Sequence, residues 1–234
     1  RQFDISDAPA LPNSGITLGS NATAIAPSRS RDGSTMLMIN SHQPLTGPVS
    51  WYEAHLQSGE GLNVMGGLFI GAPALGVGFN EHHGWGATVN QPDLVDVYVL
   101  DIDPEDDNRY RVDGDWLELE AFDIPIKVLL WGWLPWTVNE KGYRSIHGPV
   151  MKTDHGTYAV RYAGMDEIRQ VEQWLAMSAA TSFTEWQAAI SLQHIASFNF
   201  VYANADGDIH FIHNAMMPER AAGWRWDQYL PGDR

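Results

Sequence analysis

Short apolar segments predict that the first half of the chain is built from β-strands. Residues 51–57 alternate in the period-2 manner of a half-buried strand. Further strands are predicted at 21–26, 35–40, 84–89 and 95–102. Asp32-Gly33 predicts a turn between the first two of these. The glycine-rich segment 68–79 favours a close approach to neighbouring backbone, and the acidic segment 103–108 favours a solvated turn.

Two helices are predicted in the second half of the chain. Residues 166–177 carry apolar side chains at helical spacing, and residues 182–194 open with Ser182-Phe183-Thr184-Glu185, a capping box. Strands at 198–203 and 208–213 follow, with the turn signal Asp206-Gly207 between them. Strands first and helices later predict a layered α+β fold.

Composition excludes several classes of function. The 234 residues include 14 Lys and Arg against 29 Asp and Glu, and the formal net charge is −15. A chain this acidic is a poor ligand for nucleic acid or for an anionic membrane. It has no cysteine, which excludes disulfides, thiolate metal sites and a cysteine nucleophile. The longest apolar stretch, 126–136, is broken by Lys, Gly and Pro, and it falls short of the roughly 18 residues of a membrane span.

Residues 1–19 differ in texture from residues 20–234. They are rich in Pro and Gly and show little periodicity, which predicts a linker or an extended arm. The chain begins with Arg1 instead of Met, so we interpret it as a piece of a longer protein. The lack of a signal peptide in this piece therefore says nothing about location.

Ser20 stands where this arm meets the first predicted strand, within Gly19-Ser20-Asn21-Ala22. Taken alone, the pair Gly19-Ser20 is typical of any loop. Cleavage of the bond between them would, however, give Ser20 both a hydroxyl and a free α-amine. That amine has a pKa of about 7.7–8.0 and serves as a base near neutral pH. Such a serine attacks an amide carbonyl without a distant His–Asp pair.

An ordered set of motifs runs through residues 20–234 and resembles the β-chain of the penicillin amidase family of N-terminal-nucleophile hydrolases. The motifs lie at 19–22, 40–44, 66–78, 83–89, 147–150, 199–207 and 223–232. The resemblance implies a four-layer αββα fold, of which this chain would hold the β-chain portion, and self-cleavage before Ser20. It also implies that residues 1–19 are a spacer or the end of a companion small chain, that residues 20–234 begin the β-chain, and that the substrate is an N-acyl small molecule.

The resemblance also implies roles for particular residues. His42 would help to position the nucleophile, as in the branch of cephalosporin, aculeacin and acyl-homoserine lactone acylases. The backbone N–H of Val89 would be one arm of the oxyanion hole, and Phe69 would line the acyl pocket. The second arm, an Asn, and the Arg that orients it would lie beyond Arg234. Export to the periplasm or secretion is the expected location.

A calcium site is the one metal site that the resemblance implies. Its matching positions are Asp93, the carbonyl of Val95, and Asp96, while a further Glu would come from the small chain. Oxygen ligands of this kind suit Ca²⁺. A pair of surface acids at a strand start explains the same residues. No cofactor is expected to take part in the chemistry.

Two other interpretations stay open at this stage. A metal-dependent hydrolase would use His55, His82 and His83, although adjacent histidines on a strand point to opposite faces. A ligand-binding module without turnover would use the tryptophans, of which Trp131, Trp133 and Trp136 fit a substrate wall, an interface or core packing. For the acylase, the candidate substrates are acyl-homoserine lactones, β-lactam antibiotics and lipopeptides.

Overall fold

The computed structural model describes residues 19–47 and 49–234. The prediction of a linker at 1–19 therefore lies outside the described residues, except for Gly19. The chain divides into two compact units. One, here called the layered unit, comprises residues 19–92 and 166–217; the other, the ribbon unit, comprises residues 93–165 and 218–234. Sequence analysis treated residues 20–234 as one portion of a domain.

The strands and helices are numbered in chain order, and the chain passes twice from the layered unit to the ribbon unit. The layered unit begins with β1 (Ser20–Ile25), β2 (Met36–Ser41), β3 (Trp51–Gln57), β4 (Asn63–Phe69), β5 (Val77–Phe79) and β6 (His83–Thr88). The ribbon unit contains β7 (Val95–Val99), β8 (Ile102–Asp103), β9 (Asp106–Val112), β10 (Asp115–Glu118), β11 (Glu120–Leu130), β12 (Leu134–Ser145), β13 (Gly148–Thr153) and β14 (Gly156–Tyr162). The chain then forms α1 (Gln170–Ala179), α2 (Phe183–Ile190), β15 (Ser197–Asn204) and β16 (Ile209–Ala215) in the layered unit, and β17 (Leu230–Pro231) in the ribbon unit.

The layered unit has a six-stranded antiparallel sheet in the order β16-β15-β6-β5-β4-β3, and a separate hairpin of β1 and β2. The two helices cover one face of the sheet. Trp85 of β6 and Tyr202 of β15 share that core with Trp186 of α2 and Met177 of α1. Large aromatic side chains on the strands thus form the core between the sheet and the two helices.

The hairpin covers the opposite face, and glycine makes the approach possible. A Cβ added to Gly86 would lie 2.9 Å from Cδ1 of Ile39, and one added to Gly84 would lie 3.0 Å from Cδ2 of Leu37. No larger residue fits at Gly86 without displacing β2. These contacts show that the glycines of β6 bring the hairpin close to the sheet, which sequence analysis expected of glycine in strands.

The same contacts fix the direction of the hairpin. Leu37 lies over Gly84 and Ile39 over Gly86, so Ser41 comes level with Thr88 at the end of β6. Ser20 pairs with Ser41. Because directly opposed residues share a face, the Ser20 side chain points to the same side as Ile39, towards the sheet.

The helices begin later or end earlier than their patterns predict. The first half of the predicted capping box is present, because Ser182 Oγ accepts a hydrogen bond from Glu185 N at 3.3 Å. The Glu185 carboxylate accepts from Thr181 N at 2.8 Å. α2 ends at Ile190, four residues before the predicted end, and Gln193 has a φ of 57°. The buried side chain of Gln173 binds the backbone of this turn and thereby competes with a longer helix.

The ribbon unit contains a six-stranded sheet in the order β11-β12-β13-β14-β7-β17 and a three-stranded sheet of β10-β9-β8. Its core includes Tyr98, Tyr110 and Ala159. β9 begins at Asp106, so the predicted turn 103–108 is shorter than expected. In the β11–β12 hairpin, the side chains of Trp131, Trp133 and Trp136 are exposed, so they lie outside the core of the ribbon unit. Neither helix of the described chain is long and apolar enough to cross a membrane.

His83 makes the stability of the layered unit sensitive to acid. It is buried on the helix face, its Nε2 lies 3.1 Å from the Met177 carbonyl oxygen, and burial lowers its pKa from 6.5 to about 4. The unfolded chain therefore binds a proton between pH 6.5 and pH 4 that the folded chain does not bind. Its contribution is complete above pH 6.5 and is lost as the pH falls, by up to about 3 kcal/mol at 1.36 kcal/mol per pKa unit.

We expect thermal unfolding midpoints to fall between pH 6.5 and pH 4, and to fall less steeply in His83→Gln. The slope should not vanish in the variant, because burial also lowers the pKa of His147 in the ribbon unit. The measurement is a series of melting curves of both proteins across this pH range. Equal slopes in the two proteins would contradict this assignment.

Candidate active site

A row of side chains crosses the hairpin face of the sheet at the end of β6. Asn199 of β15 pairs with His213 of β16 on one side and with Thr88 of β6 on the other. Thr88 lies two residues beyond Gly86 and therefore shares its face. The row is polar here, whereas Val201, the next residue of β15 on this face, is buried and apolar.

The row continues across the sheet to two aromatic residues. Gly66 of β4 pairs with Gly78 of β5, which pairs with Trp85 of β6. Because β4 and β6 therefore run in the same direction, Phe69 and Thr88, each three residues further along, lie level with each other. Phe69 pairs with Trp51 of β3. The terminal row, as we call it, thus consists of His213, Asn199, Thr88, Phe69 and Trp51. At about 4.8 Å per strand, Phe69 and Thr88 are about 10 Å apart.

Ser20 faces the sheet at the same end, because it is opposite Ser41. Its Oγ donates a hydrogen bond to the carbonyl oxygen of Gly19 at 2.5 Å. The backbone N–H of His42 donates to the same oxygen at 3.0 Å. The carbonyl of the predicted cleavage bond is therefore held between the predicted nucleophile and a backbone donor.

The His42 side chain lies beside Gly19. Its Nε2 is 3.4 Å from Asn21 Nδ2, and a Cβ on Gly19 would lie 3.1 Å from its Nδ1. The imidazole is exposed. The structure thus brings Gly19, Ser20 and His42 together, and the contact of His42 with Ser20 runs through the backbone of the hairpin end. The predicted roles of Ser20 and His42 stay predictions.

Val89 directly follows Thr88 at the end of β6. Its side chain is 45% exposed, and its carbonyl oxygen accepts from Asn199 Nδ2 at 3.4 Å. It therefore lies at the end of the sheet that Ser20 faces. The predicted role of its N–H stays a prediction.

Phe69 lies in the terminal row and stacks on Trp51, with ring centroids 4.5 Å apart and planes 15° apart. The Trp51 ring passes over two glycines: a Cβ on Gly67 or on Gly76 would lie 3.0 Å from it. Sequence analysis missed Trp51 as a site residue. The signal that would have found it is the glycine-rich partner segment, because glycines in a strand leave room for a large ring.

The calcium site matched to Asp93, Val95 and Asp96 stays a prediction, and an arginine side chain contacts both of its acids. Arg220 donates to Asp93 Oδ2 at 2.8 Å and to Asp96 Oδ1 at 2.8 Å, and its guanidinium lies 5.6 Å from the Trp226 ring centroid. The single positive charge of this guanidinium offsets one of the two carboxylate charges. Val95 begins β7 between the two acids. Nowhere in the described residues do three His, Asp or Glu side chains group as a metal site would require.

The metal-hydrolase interpretation of His55, His82 and His83 is wrong, because these side chains do not group as metal ligands in the described residues. His83 is buried against Met177, on the helix face. His55 Nε2 lies 2.7 Å from Asn63 Oδ1 in the β3–β4 pair. Among the described residues these imidazoles do not form a group that could hold a metal ion. His82 precedes β6, which begins at His83.

Comparison with known proteins identifies the family. The sequence model of the penicillin amidase family matches residues 2–234. The chain belongs to the penicillin amidase family. The relation confirms the resemblance carried by the ordered motifs.

Several characterised proteins are similar to this chain. The acyl-homoserine lactone acylase PvdQ of Pseudomonas fluorescens Pf0-1 is 29% identical over 93% of this chain and 29% of its own length. The protein of the same name from strain Pf-5 is 32% identical over 86% and 27%. Penicillin G acylase of Escherichia coli is 26% identical over 93% and 27%. The chain thus spans less than a third of the length of these relatives.

A solved structure confirms the predicted fold. The thermostable penicillin G acylase from Alcaligenes faecalis matches with a TM-score of 0.76 and 27% identity, over 93% of this chain and 38% of its own. The layered unit contributes a helix layer, a six-stranded sheet and a second β layer, which is the ordering α, β, β of a partial αββα fold.

Proposed function

We propose that the protein is an amidohydrolase that removes an acyl group from nitrogen through Ser20, exposed by autocatalytic cleavage of the Gly19–Ser20 bond. The observation that carries the proposal is the geometry around Gly19. Its carbonyl oxygen accepts from Ser20 Oγ and from the His42 N–H, at the end of the sheet where Val89 lies. Membership of the penicillin amidase family supports the same reaction class.

Cleavage is the first step of the proposed mechanism. Ser20 Oγ attacks the carbonyl carbon of Gly19, and the His42 N–H stabilises the negative charge that develops on the Gly19 oxygen. The peptide C–N bond breaks as the nitrogen takes a proton, which leaves an ester on Ser20. The proton that Oγ loses goes to that nitrogen, so this step already frees the α-amine of Ser20. Water then hydrolyses the ester, which releases the carboxylate of Gly19 and restores the hydroxyl of Ser20.

Acyl transfer follows on the freed residue. The α-amine of Ser20 takes the proton from its own Oγ, which attacks the substrate carbonyl. The Val89 N–H donates to the oxyanion, as it would in the family. The amine product leaves with that proton, and water hydrolyses the acyl-serine. His42 positions this end of the hairpin, through Asn21 and its contact with Gly19.

The stacked pair of Phe69 and Trp51 offers an apolar wall in the same row. Such a wall suits an acyl chain or an aryl group. The names of the relatives support acyl-homoserine lactones and penicillin-type amides as substrates. Their products would be a fatty acid with a homoserine lactone, or an aryl acid with a β-lactam nucleus.

A companion small chain and a periplasmic or secreted location belong to the proposal. The relatives support both, since the chain spans less than a third of their length and they are bacterial acylases. Osmotic-shock fractionation of cells that express the complete gene tests the location. Activity that stays with the spheroplasts would contradict it.

Mass spectrometry of the protein expressed from its complete gene tests the proposed chemistry. We expect a polypeptide that begins Ser-Asn-Ala-Thr, and release of free amine from N-acyl-homoserine lactones or penicillin-type amides. Turnover should resist chelators. An uncut polypeptide that nevertheless hydrolyses the substrates would overturn the mechanism, and saturable binding without released amine would favour a ligand-binding module.

A further inference from the structure

We infer that Asn199 and His213 are positioning residues that hold the Val89 N–H in the direction of the reacting carbonyl. The inference rests on the proposed function, because it deepens the role of Val89. It concerns side chains that contact neither the nucleophile nor the leaving group. Their effect is exerted through the backbone at the end of β6.

The contacts of Asn199 bracket one peptide group. Its Nδ2 donates to Thr88 Oγ1 at 3.2 Å and to the Val89 carbonyl oxygen at 3.4 Å. The N–H of Val89 belongs to the peptide that joins Thr88 to Val89, between these two acceptors. Asn199 therefore holds the side chain before that peptide and the carbonyl group after it, which are the two flanks of the Val89 N–H.

The Val89 carbonyl oxygen fixes which way the Asn199 amide points, because a carbonyl oxygen only accepts and the amide NH₂ must therefore face it. His213 Nδ1 lies 2.8 Å from Asn199 Oδ1, so in this orientation the tautomer with a proton on Nδ1 donates to the amide oxygen. If the amide were reversed, its oxygen would face the Val89 carbonyl oxygen, and its NH₂ would face the N–H of the imidazole. The Val89 carbonyl and the His213 imidazole thus select a single orientation of the Asn199 amide.

A second anchor holds the residue after Val89. Asn90 Nδ2 donates to the Asn214 carbonyl oxygen at 2.8 Å, and Asn90 Oδ1 accepts from Ser197 Oγ. Val89 is therefore held on both sides by side-chain contacts to β15 and β16. Its own side chain is exposed and contributes little to that restraint.

This arrangement suits a catalytic donor better than a packing contact. An oxyanion donor must be held to within about 0.5 Å and 10–20° to act in the transition state. β6 ends at Thr88, so regular strand pairing no longer restrains Val89. Here the side-chain hydrogen bond from Asn199, which His213 contacts in turn, takes the place of the missing backbone hydrogen bonds between strands.

Kinetics of purified variants test the inference. For Asn199→Ala and His213→Ala we expect kcat to fall about 10- to 100-fold, the usual range for residues that orient a catalytic group, with KM unchanged. Asn199→Asp should not rescue activity, because its carboxylate faces the Val89 carbonyl oxygen. His213→Gln keeps a donor for Asn199 Oδ1 and should recover most of the loss.

Cleavage before Ser20 distinguishes a positioning role from a merely structural one, because a folding defect would reduce cleavage as well as hydrolysis. In the proposed mechanism the His42 N–H, and not Val89, stabilises the oxyanion at Gly19. The Asn199 and His213 variants should therefore be cut before Ser20 as completely as the unchanged protein. Loss of both cleavage and hydrolysis in all of them would mean a folding defect and would overturn the inference.

A matched control exists in the same sheet. Asn63→Ala removes another His–Asn contact, with His55, at the opposite end of β4 from Phe69. We expect its kcat to be unchanged. An unchanged kcat in Asn199→Ala, or an equal loss in Asn63→Ala, would overturn the inference. If Ser20→Ala kept its activity, the proposed function itself would fail; if only the Asn199 result failed, the function would stand.

Discussion

Replacing Ser20 by alanine is expected to leave the chain uncut at Gly19 and to abolish hydrolysis. The variant lacks the hydroxyl that attacks both the Gly19 carbonyl and the substrate, and without cleavage it also lacks the free α-amine. Loss of the nucleophile lowers kcat by about 10⁴- to 10⁶-fold in serine hydrolases. The measurements are the mass of the purified polypeptides and the initial rate of amine release.

Two variants sharpen this experiment. Ser41→Ala removes a hydroxyl from the residue directly opposite Ser20 in the β1–β2 pair, and we expect normal cleavage and a normal rate. Ser20→Cys keeps a nucleophile beside the Gly19 carbonyl and should still be cut. Cleavage of the Ser20→Ala polypeptide, or its activity at more than a trace, would show that another group is the nucleophile.

Sequence analysis located several strands of the layered unit correctly. β3 matches its prediction to the residue, and β1, β2 and β6 match within one residue at each end. Less exposed and more exposed positions alternate in β2, whereas the first four residues of β6 are all buried, so alternation alone does not explain the agreement. The α+β class follows from the order of strands and helices along the chain.

The ribbon strands β10 and β11 escaped prediction because buried and exposed positions do not alternate in them. All four residues of β10 are exposed, and all but one of β11. A hairpin exposed on both faces has no reason to alternate. The pairing of β11 with β12 is a property of the two strands together, and neither segment alone predicts it.

The site residues divide in a similar way. Ser20 can be predicted from its chemistry, because cleavage of the bond before it would give one residue both a hydroxyl nucleophile and an amine base. Val89 cannot, because its proposed role belongs to the backbone, and only the family resemblance indicates it. Asn199 and His213 are polar residues whose importance depends on a cross-strand row that exists only in the folded sheet.

The contact of Arg220 with Asp93 and Asp96 illustrates what spacing alone misses. Asp93 and Asp96 look like ligands when read along the chain. Arg220 is far from them in sequence and reaches both carboxylates in the fold. A long-range ion pair of this kind changes the chemistry of a local motif, and no property of the motif itself reveals it.

Replacing Gln173 by alanine is expected to destabilise the layered unit by about 3–4 kcal/mol, since buried polar groups left without partners cost about 1–3 kcal/mol each. Gln173 is fully buried in α1. Its Nε2 donates to the Ile190 carbonyl oxygen at 3.1 Å, and its Oε1 accepts from the N–H groups of His194 and Ile195, both at 2.7 Å. The amide thus closes the turn that follows α2.

Urea unfolding and hydrogen exchange measure this effect. The midpoint should fall, and the amides of His194 and Ile195 should exchange faster because they lose their acceptor. Gln173→Glu keeps an acceptor for both amides but places a carboxylate near the Ile190 oxygen, so it should spare their protection more than it spares stability. The exposed Gln187→Ala in α2 is the control and should lie within about 0.5 kcal/mol of the unchanged protein. If Gln173→Ala unfolded at the same urea concentration as Gln187→Ala, the buried amide would not be what terminates α2 and connects it to α1.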